Sequence, residues 1–296
     1  MSTAEVLPLP ILLYLDQSYW GRLAQPENVE ILDRLTTLVD QGVLVAPLSV
    51  FVFAESMKAP RHVRMSLLPV FGRLSGDTAL KNPVLLMRLE IVKHLEGRST
   101  TWVRQRLLTR SPIEMNPLAP PPSDSILDCL DIAFSADYTR EETATIDEPL
   151  IQGAVQADDV DVPVTFTTSE VQAIFSPCHP PEGAKDIKLD DMPSFGILRR
   201  LQQSVRSRCA KGHKKNDMVD FTYVGETLPY FDIVTVDHAT GARIKEAGLG
   251  GMAHGEVVST GLDDLISAVE RALARHAVRT DHDDVAADTR VEEKQS

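Results

Sequence analysis

Apolar positions are spaced in two ways along this 296-residue chain, and each spacing predicts a different element. Short runs dense in branched residues predict strands buried on both faces. Ile11–Leu15 is one such run and stops on Asp16; Val43–Pro47 is a second. Phe231, Ile233, Val234 and Val236 make a third, which stops on Asp237. Apolar residues returning every three or four positions predict helices instead. Ile31, Leu32, Leu35 and Leu38 give a helix over Val29–Gln41 closed by Gly42, and Leu262–His276 is a clear amphipathic helix. "QSYWGRLA" forms a short helix after Asp16, and Ser49 caps "VFVFAESMK", which carries Glu55. Arg61–Arg110 keeps a helical period, with breaks at Pro83 and Gly97. Asp217 opens a helix towards Leu228, Thr240–Ala247 is a helix ended by Gly248, and Glu256–Ser259 is an edge strand. The pattern predicts an α/β fold: two α/β ends around a mostly helical middle, followed by a polar, disordered tail from position 278.

Composition excludes some classes of function. With 43% hydrophobic and 25% charged residues the chain is ordinarily globular. No apolar stretch approaches the roughly 20 residues of a membrane span, so no membrane partner is expected. The N-terminus lacks the basic region of a signal peptide. Cys129, Cys178 and Cys209 are odd in number, far apart and without a CxxC spacing. That argues against a disulfide framework or a zinc site and makes a reducing cytoplasm the expected compartment. No GxxxxGK(S/T) motif and no glycine-rich turn after the first strand is present, so phosphate-loop and dinucleotide chemistry are excluded. A phosphatase of the haloacid-dehalogenase type needs a second aspartate two residues after the first, and Asp16-Gln17-Ser18 lacks it.

Charge is unevenly placed. The net charge is −13, and Pro121–Met192 alone holds 16 acidic against 3 basic residues, leaving the rest of the chain neutral. Directly after comes "LRRLQQSVRSRCAKGHKK", Leu198–Lys215, with seven lysines and arginines. Leu198, Leu201, Val205 and Cys209 share one helical face, so Arg199, Arg200, Arg206 and Arg208 fall on more exposed positions. Such a face is either simply solvated or a phosphate-binding surface.

The acids carry the candidate chemistry. Asp16 and Asp237 each end a strand, Glu55 sits in the helix after the second strand, and Asp217 and Asp220 share a face in the first turn of a late helix. Any one of them alone is ordinarily a solvated loop residue. If the strands are neighbours in a parallel sheet, all five carboxylates converge at its carboxyl edge, where open α/β sheets place their ligands. Like charges brought together cost free energy unless a cation neutralises them, and an all-oxygen donor set suits Mg²⁺ or Mn²⁺. Tyr14, Tyr19 and Trp20 are expected to pack rather than to stack on bases. His238 is expected to be a loop residue beside Asp237.

The segments "LYLDQS", "SVFVFAES" and "NDMVDFTYVGETLPYFDIVTVD" together resemble the PIN domain family of metal-dependent ribonucleases. The family pattern is an Asp after the first strand, an acid in the helix after the second, an Asp opening a late helix and an Asp closing the next strand. A Thr or Ser commonly stands two places before that last Asp; here it is Thr235. The resemblance implies a five-stranded parallel sheet between helices and a divalent-metal-dependent endoribonuclease that hydrolyses RNA phosphodiester bonds. It implies Asp16, Glu55, Asp220 and Asp237 as the catalytic, metal-holding acids, with Asp217 as a fifth or a substitute. RNA would be the substrate, guided by Arg199, Arg200, Arg206 and Arg208; an inhibitory or regulatory protein partner and a homo-oligomer are further expectations. The match covers about 11–57 and 217–276, so the chain divides into a first core part (1–58), a long helical insertion or cap (59–216), a second core part (217–277) and the tail (278–296). The alternative is a catalytically inactive PIN-like scaffold that binds RNA or a protein; retention of the acidic positions speaks against it.

Overall fold

A computed structural model describes residues 9–116, 121–138, 165–175, 185–206 and 215–292, with the side chains of 205–206, 215–219 and 278–292 outside that description. β1 (Ile11–Tyr14) is followed by α1 (Gln17–Leu23) and α2 (Val29–Asp40), and β2 (Leu44–Val45) returns beside it. α3 (Val50–Met57) and α4 (Arg61–Ser75) lead to the short β3 (Ala79–Leu80). α5 (Pro83–Glu96) and α6 (Thr100–Arg104) then precede β4 (Leu108–Thr109), which pairs antiparallel with β3. After α7 (Pro112–Met115) and α8 (Ile126–Ser135), β5 (Thr165–Phe166), α9 (Thr168–Phe175) and β6 (Ile187–Lys188) form a second small antiparallel unit. α10 (Pro193–Arg206) and α11 (Lys215–Thr227) come before β7 (Ile233–Thr235), α12 (His238–Glu246), β8 (Glu256–Val258) and α13 (Leu262–Glu292).

The main sheet is parallel throughout, in the order β2-β1-β7-β8. It has four strands among the described residues, one fewer than the resemblance implies. β1 explains why its sequence is apolar without a gap. Ile11, Leu13 and Leu15 enter one hydrophobic cluster, whereas Leu12 and Tyr14 enter another. Side chains of a strand alternate between faces, so a strand covered on both must be apolar at every position. β7 is covered likewise, with Ile233 on the first side and Val234 on the second, and its one polar residue, Thr235, is buried and hydrogen-bonded.

Helices from the middle of the chain supply both covers. Phe71 and Leu74 of α4 and Phe134 of α8 pack in the first cluster with Trp20 and with Leu265 of α13. Leu86 of α5, Val103 of α6 and Ile197 and Leu201 of α10 pack in the second with Phe221 and Val224 of α11. Helices α4, α5, α6, α8 and α10 of the stretch 59–216 are therefore built into both core layers. A smaller cluster around β6 holds Ile91, Val171, Phe175, Ile187, Leu189 and Met192. Tyr14, Tyr19 and Trp20 are all buried, and Trp20 meets Phe71 edge-on at 4.9 Å, the packing role expected of them.

Arg64 fastens this arrangement. Its buried guanidinium donates to the carbonyls of Met57, Ala59, Phe134 and Ala136, at 3.3, 3.2, 3.4 and 2.6 Å. It thus ties the ends of α3 and α8 to α4 and satisfies carbonyls that helix termini leave open.

Local signals place several boundaries. Asn82 accepts from the N–H groups of Val84 and Leu85 to start α5 at Pro83, and Gly97 ends it at φ +64. The β3–β4 pair interrupts the stretch expected to be helical throughout, because two-residue strands are too short to show a period. α13 continues to Glu292, through most of the stretch that the sequence sets aside as a disordered tail. No helix among the described residues is long and apolar enough to cross a membrane.

Candidate active site at the carboxyl edge of the sheet

β1 and β7 are neighbours, with Leu13 opposite Ile233 and Tyr14 opposite Val234. Asp16 and Asp237 therefore leave adjacent strands at the same end, and each caps the helix that follows. Asp16 Oδ2 accepts from the Ser18 N–H at 3.2 Å and from the Ser18 hydroxyl at 2.7 Å, opening α1. Asp237 Oδ1 accepts from the Thr240 N–H at 2.5 Å, opening α12. Capping explains why an acid is tolerated at each place. It does not explain why the two are brought side by side. Thr235, fully buried, accepts the Asp16 N–H on its Oγ1 at 2.8 Å and joins the strand ends.

Glu55 and Asp220 approach from two helices. Ser49 Oγ caps α3 by accepting from the Val52 N–H at 3.2 Å and lies 3.4 Å from the Tyr14 hydroxyl. The Ser56 hydroxyl donates to Gln17 Oε1 at 3.0 Å, which sets the Glu55 turn of α3 against the start of α1. Asp220 lies one turn before Tyr223 in α11, and Tyr223 stacks on Tyr14 with ring centres 5.4 Å apart. Glu55 and Asp220 are both half-buried.

The electrostatics tie these groups together. Burial pushes the Asp16 carboxyl above the usual carboxylate range, its Ser18 and Gln17 hydrogen bonds pull it back, and the Asp237 charge raises it again. The Tyr14 hydroxyl is held well above its ordinary value, first by burial and then by the charges of Asp16, Glu55 and Glu226, with the Ser49 hydrogen bond opposing. Tyr223 is raised by burial and by Asp16, Asp220 and Asp237. Asp16, Glu55, Asp220 and Asp237 thus act on one stacked pair of neutral tyrosines. Among the described residues, however, no three His, Cys, Asp or Glu side chains are grouped so as to hold a metal ion. The Asp217 backbone is in the first turn of α11, and its side chain lies outside the described residues.

Arg199 and Arg200 lie at another place. Arg199 pairs with Asp190 at 3.0 Å, and Arg199 and Arg200 line a cavity of about 500 Å³ with Gln203 and Glu246. Glu246 ends α12, whereas Asp237 caps its start, so the cavity is separated from the carboxylates by a helix length of about 13 Å. The side chain of Arg206 and all of Arg208 lie outside the described residues. His238 is exposed at the first position of α12, where a loop residue was expected.

Two further acids belong to the interior and were not singled out by sequence. Glu90 accepts on Oε1 from the Ser194 N–H at 3.0 Å, from the Ser194 hydroxyl at 2.6 Å and from the Tyr230 hydroxyl. Glu226 is buried near it, with Oε1 unpartnered. The available signal was a carboxylate on an apolar helix face: Glu90 follows Leu86 by four residues, and Glu226 follows Tyr223 by three.

No protein-family model, curated protein or solved structure matches this chain.

Proposed function

We propose that this chain is a divalent-metal-dependent endoribonuclease of PIN-like type, hydrolysing RNA phosphodiester bonds at the carboxyl edge of its parallel sheet. The observation that carries this reading is the pairing of Asp16 and Asp237 at the ends of neighbouring strands, joined through Thr235. The PIN-like identity of the sheet, and an action on cytoplasmic RNA, are parts of the same proposal.

The donor chemistry fits a hard cation. Every acid at this edge offers carboxylate oxygen, and the Asp16 carboxyl is destabilised as an anion by burial and by Asp237, a cost that a bound cation offsets. Asp16 and Asp237 would hold Mg²⁺ or Mn²⁺, with Glu55 and Asp220 completing the sphere through water. When bound, such an ion supplies an activated water and stabilises the leaving oxygen. Thr235 fixes the Asp16 backbone through the Asp16 N–H. Tyr14 and Tyr223 stay neutral behind the carboxylates and add no charge to an already acidic edge.

The test is cleavage of a pool of cellular RNA by the purified chain, with Mn²⁺ and with chelator. Metal-dependent cleavage that survives Asp237→Asn would overturn the assignment. The second reading, an inactive PIN-like scaffold binding RNA or protein, is favoured by one observation: no three described acids are grouped to hold an ion. RNA binding with no cleavage under any divalent ion is its expected result.

A further inference from the structure

The opposite end of the same sheet holds a second cavity, of about 340 Å³. Ile11, which begins β1, lines it with Asp232, His254, Glu256, Arg275 and His276. Ile11 and Asp16 are separated by five residues of extended chain, so the two ends lie roughly 16 Å apart.

The charges in this cavity are arranged in favour of an anion. Asp232 is already committed. Its Oδ2 accepts from Arg104 Nη2 at 2.6 Å and from the Leu12 N–H at 2.8 Å, and its Oδ1 accepts from Arg104 Nη1 at 3.2 Å. Glu256 is likewise taken by Arg271, whose Nε donates to Oε2 at 3.0 Å and whose Nη2 donates to Oε1. Each lining carboxylate therefore has its own arginine in a two-pronged pair, which blunts its repulsion of an incoming anion. Arg275 has no such partner among the described residues and is exposed on α13. It remains as uncompensated positive charge beside two imidazoles. His276 Nε2 lies 2.9 Å from the Leu9 carbonyl, which fixes its ring, and His254 Nε2 lies against Arg104 and Asp232. Behind the wall, Arg104 Nε is a buried N–H with no partner among the described residues.

The backbone around the cavity is held tightly. A Cβ at Gly255 would lie 1.9 Å from the Asp232 carbonyl oxygen, so only glycine allows β7 and β8 to start this close together. That approach lets the Glu256 N–H donate to the Asp232 carbonyl at 2.9 Å.

We propose that this cavity is a ligand site distinct from the carboxylate edge, taking a phosphate-class anion through Arg275, with His254 and His276 in its wall. A guanidinium suits phosphate because its planar fork donates two parallel hydrogen bonds. The cavity is larger than inorganic phosphate needs and is at the lower end of small-molecule sites, which fits a phosphomonoester carried on a group of nucleoside size.

The experiment uses the full chain in chelator, so that no divalent ion bridges phosphate to the acidic edge. Thermal shift and calorimetric titration are run with inorganic phosphate, adenosine 5′-monophosphate and unphosphorylated adenosine. Saturable binding of either phosphate compound, with none by adenosine, is the expected result, and the tighter of the two identifies the source of the anion. Arg275→Gln, on an exposed position that leaves the core intact, should weaken that binding about tenfold. Asp16→Asn with Asp237→Asn should leave it unchanged. Equal binding of adenosine, an unaffected Arg275→Gln protein, loss of binding in the double aspartate variant or no binding at all would each overturn the proposal.

Discussion

Thr235 Oγ1 accepts the Asp16 N–H at 2.8 Å, across 219 positions of sequence. The hydroxyl two residues before one strand-ending aspartate thus fixes the backbone of the other. Replacing it tests whether this link orders the site. Thr235→Val keeps the branched shape but leaves the Asp16 N–H buried and unpaired, at a cost of about 1–3 kcal/mol. Thr235→Ser keeps the acceptor. Denaturant melts should rank wild type above serine above valine, and RNA cleavage should fall in the same order. A valine variant as stable and active as wild type would show that the link is incidental.

Asp16→Asn and Asp237→Asn should each abolish metal-dependent cleavage while leaving the fold intact. Asparagine still caps a helix, so α1 and α12 keep their starts. Without metal, Asp16→Asn should be at least as stable as wild type, since burial and Asp237 both disfavour the Asp16 anion. Circular dichroism and melting separate loss of chemistry from loss of fold.

Divalent ions should stabilise the chain by mass action. At a free concentration of 100 times the dissociation constant, Mg²⁺ or Mn²⁺ would add about 2.7 kcal/mol. The melting shift should vanish when Asp16 and Asp237 are both changed to asparagine. A shift of equal size in that variant would place the ion elsewhere on this acidic chain.

Glu226 sets a dependence on pH. Burial, and then the charge of Glu90, hold its carboxyl well above the usual carboxylate range, so the folded chain favours the protonated form. The stability this gives is complete below the unfolded value of about 4.3 and is lost as pH rises towards the folded value. Glu226→Gln should therefore match wild type in acid and exceed it near neutral pH by about 1–3 kcal/mol. Urea titrations across this range check it; a constant difference at every pH would mean that charge at Glu226 is not the cause.

The sequence by itself determined the elements nearest the site. β1 announces itself because both of its faces are buried, so no polar position interrupts the run, and β7 does so by its branched apolar residues, with Thr235 as a buried polar exception. Ser49 is legible as a cap because a cap bonds to an N–H only two or three residues away, and the structure adds that Asp16 and Asp237 cap helices as well. Tertiary structure alone decided that Asp16 and Asp237 stand together, since hydrogen bonds between parallel strands carry no local signature of which strand will be the neighbour. It also decided that α4, α5, α8 and α10 close the two faces of the sheet and that Glu90 meets Glu226. Arg199 shows the same division. Its helical spacing marks it as outward-facing, but its pairing with Asp190 in the turn before α10, and its place in a cavity shared with Glu246 of α12, follow from the fold. Periodicity and capping act within one helical turn, whereas burial and charge coupling depend on contacts between segments that the chain brings together only when folded.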